Sequence, residues 1–233
     1  MSKKTSKKQE FDHFSKLAAE WWKKDGEFKI LHQIMPLRIQ YILDSIKKIE
    51  NLDILDLGCG GGLTCEPLSR LKANVTGIDF IKENINIAKK HALKSNLNIK
   101  YIHADLEALN IKKKYDLILM LEVIEHIDNW EQYISQIKKN LRPNGSIIFS
   151  SINKTQLSKF FAIYVAENLL NWIPKNTHNF NKLVSPKKLE KILIQNNFII
   201  KNITGMNFNP FTKQWTLIKN VYPINYFCTA TIN

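Results

Sequence analysis

Asp53-Ile-Leu-Asp-Leu-Gly-Cys-Gly-Gly-Gly62 begins as a short apolar run and ends with glycines at 58, 60, 61 and 62. Glycine takes positive φ at no steric cost and lets another group approach the backbone closely. A strand running into this loop therefore reads as a strand-to-helix turn beside a ligand. A helix over Leu63–Leu71 comes next, followed by a strand, Asn74–Asp79, that ends in an acid 21 residues after Gly58. A carboxylate at that place accepts both hydroxyls of a ribose. A glycine loop alone is weak evidence, but strand, loop, helix, strand and acid in this order supply the context it needs.

The same alternation continues outward. The pattern predicts a helix over Lys82–Ser95, strands over Ile99–Ala104 and Tyr115–Met120, a helix over Trp130–Leu141 and a strand over Ser146–Ser151. Asp128 and Glu131 form a capping box for the last helix, and Arg142-Pro-Asn-Gly145 reads as the turn that ends it. After a helix at Pro186–Gln195, the runs Phe198–Ile203 and Ile224–Ile232 bring the strands to seven, the last as an antiparallel edge. Strands alternating with helices imply an α/β, Rossmann-like fold, with a mostly parallel seven-stranded sheet and helices on both faces. Residues 1–10 read as a disordered basic tail and 11–233 as one domain. That domain carries an N-terminal helical cap (11–50) and an inserted segment (154–188) after the fifth strand.

The loop chemistry separates two nucleotides. A dinucleotide loop would be GxGxxG around a pyrophosphate, which the Asp56 carboxylate would repel. The same carboxylate suits the ammonium of a methionine moiety, so S-adenosylmethionine is favoured over NAD. A bare tight turn would not need four glycines, each costly in folding entropy.

Composition removes other classes. The formal charge is +13, but of 34 basic residues only Arg38, Arg70 and Arg142 are arginine. Bidentate phosphate and guanine contacts call for arginine, so nucleic acid is a poor partner; a diffuse attraction to anionic surfaces survives. The odd number of cysteines, Cys59, Cys65 and Cys228, lacks zinc spacing and points to reduced thiols in a reducing, cytoplasmic setting. The basic start is followed by no apolar run of a signal, and no stretch reaches the roughly 20 apolar residues of a span.

Beyond the glycine loop, the flanks WWKKDGEFKILHQIMPLRIQYI, LEVIEH, IPKNTHNFNKLVSP, ITGMNFNPFTKQWTL and INYFCTA resemble, from about Phe14 onward, the ubiquinone biosynthesis O-methyltransferases. The loop and LEVIEH belong to class I methyltransferases in general, whereas the other motifs are more specific. The resemblance implies O-methylation of polyprenylated phenols, 3-demethylubiquinol and 2-polyprenyl-6-hydroxyphenol. It also implies attachment to the inner face of the membrane and possible association with other ubiquinone-biosynthesis enzymes. By this resemblance Arg38 reaches the cofactor's carboxylate, though on its own it would read as a surface arginine. Gly58, Gly60, Asp79 and Leu121 join Asp56 as cofactor contacts, and Asp105 is expected to accept from the adenine amine. A class I methyltransferase for another small molecule, or a basic membrane-binding module without catalysis, are the other readings.

Within LEVIEH, Glu122, Glu125 and His126 stand at i, i+3 and i+4, which a helical turn would place on one face. Two carboxylates and an imidazole suit Mg²⁺, which a catechol also chelates, and the family's use of a divalent metal supports that reading. Glu122 and His126 are then catalytic candidates, and His178 in PKNTHNF is a second base. The plainer readings are a glutamate favouring a helix N-terminus and a surface histidine. Leu157–Ile173 is apolar, interrupted by polar residues and flanked by lysines 154, 159, 175, 182, 187 and 188. That is the pattern of an interfacial anchor, or of a helix packed on its own domain or a dimer partner.

Overall fold

The computed structural model describes residues 15–232 apart from 109, 157, 159–181, 210, 211 and 213. The basic tail, His178 and nearly all of Leu157–Ile173 lie outside the described residues. One sheet contains β1 (Asp53–Leu57), β2 (Asn74–Asp79), β3 (Lys100–His103), β4 (Tyr115–Leu121), β5 (Leu141–Ile152), β6 (Ile199–Asn209), β7 (Gln214–Lys219) and β8 (Asn225–Thr231). Their order is β3-β2-β1-β4-β5-β8-β6-β7. The first five in space run parallel, and the pairs β5–β8, β8–β6 and β6–β7 are antiparallel. The helices are α1 (Lys29–Ser45), α2 (Cys65–Arg70), α3 (Lys82–Lys94), α4 (Trp130–Lys138) and α5 (Pro186–Gln195).

Alternate side chains of a strand face opposite ways, so a sheet covered on both sides has two cores. Leu55, Leu57, Ile118 and Met120 pack with Trp130, Ile134 and Ile137 of α4 and Leu189 and Leu193 of α5. Ile54, Leu117 and Leu119 pack on the other side with Tyr41 and Ile42 of α1, Leu68 of α2 and Ile85 of α3. The Tyr41 hydroxyl lies 2.9 Å from Thr229 Oγ1, and its ring stacks on Phe227 at 4.6 Å. This pairing fixes α1 against β8, and with it Arg38, one turn earlier on the same face.

Several expectations need correction. The sheet has eight strands because β6 continues to Asn209 and pairs with β7, whose half-exposed residues carry little apolar alternation. β8 is no edge: it lies between β5 and β6 and bonds to both. Residues 142–145 enter β5 as an irregularity in its pairing with β4, with Asn144 at φ 60°. The capping box does not form: Asp128 N donates to Glu107 Oε1 at 3.0 Å rather than to Glu131. Asp128 and Glu131 pair with Lys182 at 3.4 Å and Lys188 at 2.7 Å, and Asn129 at the N-cap makes no side-chain capping bond.

Gly205 in β6 faces the loop after β7. A methyl group there would overlap the Val221 carbonyl and reach 2.9 Å from its carbon. Backbone cannot swing aside as a side chain does, so Gly205→Ala is expected to cost about 3 kcal/mol in urea unfolding.

Candidate active site at the ends of β1, β2 and β4

The strand order reverses between β1 and β4, and a crevice for ligands opens at the carboxyl ends of strands where it does. The loop after β1 has Gly58, Gly60 and Gly62 at φ 70°, 53° and 87°. The direction in which each glycine lacks a Cβ is filled by protein. Val123 occupies it at Gly58, the Trp21 ring at Gly60 and Gly61, and Tyr101 at Gly62. The glycines therefore admit side chains of this chain, a role that the loop sequence alone does not display.

Asp79 ends β2 as expected, buried, with its carboxylate held by three donors. Gly60 N lies 2.9 Å from Oδ2, and Ile81 N and Asn84 Nδ2 lie 2.8 and 3.3 Å from Oδ1. Burial nevertheless raises its pKa. Asp56, in β1, is 2% exposed and accepts from Cys65 Sγ at 3.2 Å. Burial pushes its pKa up to about 7, against the lowering effects of the Cys65 bond and the Arg38 charge.

Arg38 is buried, not a surface residue. Its Nη2 stands 3.5 Å from Glu122 Oε1, at the limit of a hydrogen bond, and its Nε has no partner. Burial lowers its pKa, while Glu122 and Asp56 oppose that shift. A buried guanidinium with an idle donor beside a buried carboxyl is a site for a group carrying both charges.

Glu122 leaves β4 at φ 58°. Most other non-glycine residues with positive φ here are asparagine, which tolerates that region. For a glutamate this backbone is strained by roughly 1 kcal/mol or more, the kind of strain concentrated at functional sites. It aims the side chain at Ser150 Oγ (3.0 Å) and Asn225 Nδ2 (3.4 Å), which donate to Oε1 beside Arg38. Only Ile124–His126 form a turn, of 3-10 type, so the one-face expectation for Glu122, Glu125 and His126 fails. Glu125 is buried and accepts from Ser151 Oγ at 3.1 Å. Burial and then the Glu122 charge raise its pKa to about 7. Among the described residues no cluster of three His, Cys, Asp or Glu is arranged to hold a metal ion. The LEVIEH side chains thus do not form a cage by themselves.

Leu121 ends β4, buried. Asp105 is exposed and accepts from Glu107 N at 3.0 Å, closing a local turn after β3. Sequence reasoning missed Trp21, Trp22, Asn84, Ser150 and Asn225. The tryptophan pair and Asn225 lie in motifs that carried the family resemblance, but no role at the site was read for them.

Residues 31–201 match a family model described as a methyltransferase domain, more than half of the chain. Among solved structures, magnesium protoporphyrin IX methyltransferase from Synechocystis PCC 6803 with bound SAH aligns over 97% of this chain and 100% of its own. The TM-score is 0.71 at 21% identity. A possible histamine N-methyltransferase from Thermotoga maritima aligns over 96% and 99%, with a TM-score of 0.70 at 14% identity. Fold and family model together define a class I methyltransferase. The ubiquinone biosynthesis O-methyltransferase of Rickettsia typhi is 43% identical over 94% of this chain and 91% of its own, and that of Pelagibacter ubique 43% over 94% and 95%. The chain belongs to the family of ubiquinone biosynthesis O-methyltransferases.

The raised pKa of Asp56 has a sign that can be measured. Its stabilising contribution is complete below the ordinary carboxylate range and is lost as pH rises through about 7, where a charge must sit buried. Asp56→Asn is therefore expected to raise the melting temperature of the ligand-free protein at pH 8, by about 5 °C, with the gain shrinking as pH falls and vanishing only near about pH 4.

Proposed function

We propose that this chain moves the methyl group of S-adenosylmethionine to a phenolic oxygen of polyprenylated rings, 3-demethylubiquinol and 2-polyprenyl-6-hydroxyphenol among them. The observation that carries the reading is the buried pair of Arg38, with its unpartnered Nε, and Asp56. Arg38 would take the carboxylate of the methionine moiety and Asp56 its ammonium, while Asp79 would accept from the ribose. Leu121 packs beside the nucleoside, and Asp105 would leave its local turn to accept from the adenine amine. Bound there, the cofactor supplies a methyl group on a sulfonium, open to in-line attack.

The protein's remaining tasks are alignment and a proton. The substrate oxygen gives up its proton as the C–O bond forms, and the electron pair of the breaking S–C bond stays on sulfur. Glu122, partly exposed at the site, is the acceptor we assign. Glu125, whose pKa burial raises to about 7, places less negative charge beside it than an ordinary glutamate would. His126 and His178 are the further bases. Holding oxygen, methyl and sulfur in line is worth up to roughly 7–11 kcal/mol in favourable cases. Mg²⁺ enters this reading only as an ion recruited with a catechol, whose two oxygens would complete a set begun by Glu122 and His126. Its chemistry there would be to lower the hydroxyl pKa.

A tailed substrate argues for peripheral attachment to the inner face of a membrane and for contact with other enzymes of the pathway. Among the described residues no helix is long and apolar enough to cross one. Two of the lysines flanking Leu157–Ile173, Lys182 and Lys188, pair with Asp128 and Glu131, which leaves fewer for anionic lipid.

The test is transfer of labelled methyl to a short-tailed demethylubiquinol, with and without EDTA and with Mg²⁺ restored. The expected result is turnover lost on chelation and regained with Mg²⁺. Arg38→Ala should lower kcat/KM roughly 100-fold, chiefly through KM for S-adenosylmethionine, and Glu122→Gln should lower kcat by about the same factor. Turnover only on an untailed phenol would move the reading to another small-molecule substrate.

A further inference from the structure

Residues 15–28 cross the outside of the glycine loop and are tied to it at several points. Trp21 fills the space beside Gly60 and Gly61 and stacks on Phe28 at 3.9 Å. Trp22 donates from Nε1 to the Gly61 carbonyl at 3.0 Å and stacks on His91 at 3.4 Å, while His91 Nδ1 lies 2.5 Å from Glu66 Oε1. Ser15 Oγ donates to Glu83 Oε2 at 3.0 Å. The same strap reaches the acid at the end of β2. Trp21 Nε1 donates to Asn84 Oδ1 at 2.8 Å, and Asn84 Nδ2 donates to Asp79 Oδ1 at 3.3 Å. Asn84 is 2% exposed, so its amide has no water to turn to.

The direction of this chain of bonds is fixed by chemistry. An indole N–H only donates, so the amide must offer Trp21 its oxygen, which leaves its nitrogen for Asp79. A carboxylate has about four acceptor positions, and three are taken here by Gly60, Ile81 and Asn84. Gly60 and Ile81 donate from backbone that the loop already fixes. Asn84 is the single side-chain donor, and its orientation is set by the strap.

We propose that Trp21 and Asn84 are positioning residues for the cofactor ribose: the strap, closed on the glycine loop, orients the Asn84 amide, and the amide holds the Asp79 carboxylate so that its open acceptor position, on Oδ2, meets the ribose 2′-hydroxyl. Trp21 thus does two things with one side chain. Its ring supports the loop at Gly60 and Gly61, and its N–H reaches the ribose acid through one intermediary. The inference rests on the reading of Asp79 as ribose acceptor in an S-adenosylmethionine site.

The experiment is calorimetric titration of S-adenosylhomocysteine and of its 2′-deoxy analogue into the full chain and its variants, with the melting temperature of each recorded. Wild type is expected to bind S-adenosylhomocysteine and to prefer it to the deoxy analogue. Asn84→Ala should weaken S-adenosylhomocysteine about tenfold and the analogue much less, so that discrimination between the two falls. Trp21→Phe keeps a ring on the loop and removes the N–H. It should lower the discrimination about threefold, and adding it to Asn84→Ala should have little further effect, since both lie on one path. Equal weakening of both ligands, or no weakening, in the folded variants would overturn the positioning role while leaving the cofactor site intact. Failure of wild type to bind S-adenosylhomocysteine would overturn the site reading and this inference with it.

Discussion

A guanidinium taken out of water costs several kcal/mol unless opposite charge and hydrogen-bond acceptors come with it. Arg38 is taken out of water at the one place where the sheet reverses its order, and much of the architecture meets that requirement. β1 brings Asp56, the end of β4 brings Glu122 in a strained backbone, and the turn beyond it brings Glu125. β5 and β8 supply Ser150 and Asn225, which hold Glu122 in place. α1 carries Arg38 itself and is pinned to β8 through Tyr41. Elements far apart in sequence thus serve one buried cation, and they leave it incompletely matched.

The incomplete matching distinguishes this cluster from a structural ion pair. Asp56 and Glu125 are pushed up to about 7, because burial outweighs the charges and hydrogen bonds that favour their ionised forms. Elsewhere the balance is different. At the other end of the sheet, Arg142 pairs at 2.5 Å with both Asp53 and Asp116, and Lys113 adds a second cation at 2.8 Å from Asp53, whose pKa falls. One set of charges is matched in water and ties strands together. The other is buried and incompletely matched, with Arg38 Nε left without a partner, at a cost in stability of the kind active sites show.

Much of this was legible in the sequence. The order of strands and helices followed from the spacing of apolar runs and the glycine loop, and Asp56 and Asp79 followed from their places beside that loop. What was not legible depends on the third dimension. Spacing put Glu122, Glu125 and His126 on one helical face, but Glu122 stands outside the Ile124–His126 turn at a positive φ, and no pattern of residue types announces that angle. The backbone donor of the capping box at Asp128 goes instead to Glu107, 21 residues earlier. The glycines read as room for a ligand, and nothing in the loop sequence shows that the space a Cβ would take there is filled by Val123, Trp21 and Tyr101. β7 escaped notice because an exposed edge strand needs little apolar alternation.

The position of β8 bears on the order in which the molecule can assemble. β6 and β7 form a hairpin whose contacts are local, yet the hairpin joins the sheet only through β8, which pairs Phe149 with Cys228 on one side and Ile203 with Cys228 on the other. Until that strand is in place, β5 presents an open edge of unpaired backbone groups, and the hairpin has nowhere to dock. Pairings across some eighty residues are slow to find, because chain closure must come before any contact rewards it. Strand β8 is therefore a keystone in time as well as in space. The parallel half can collapse early, but Glu122 lacks Asn225, and α1 lacks the Phe227 and Thr229 that pin it, until the chain has been made as far as β8.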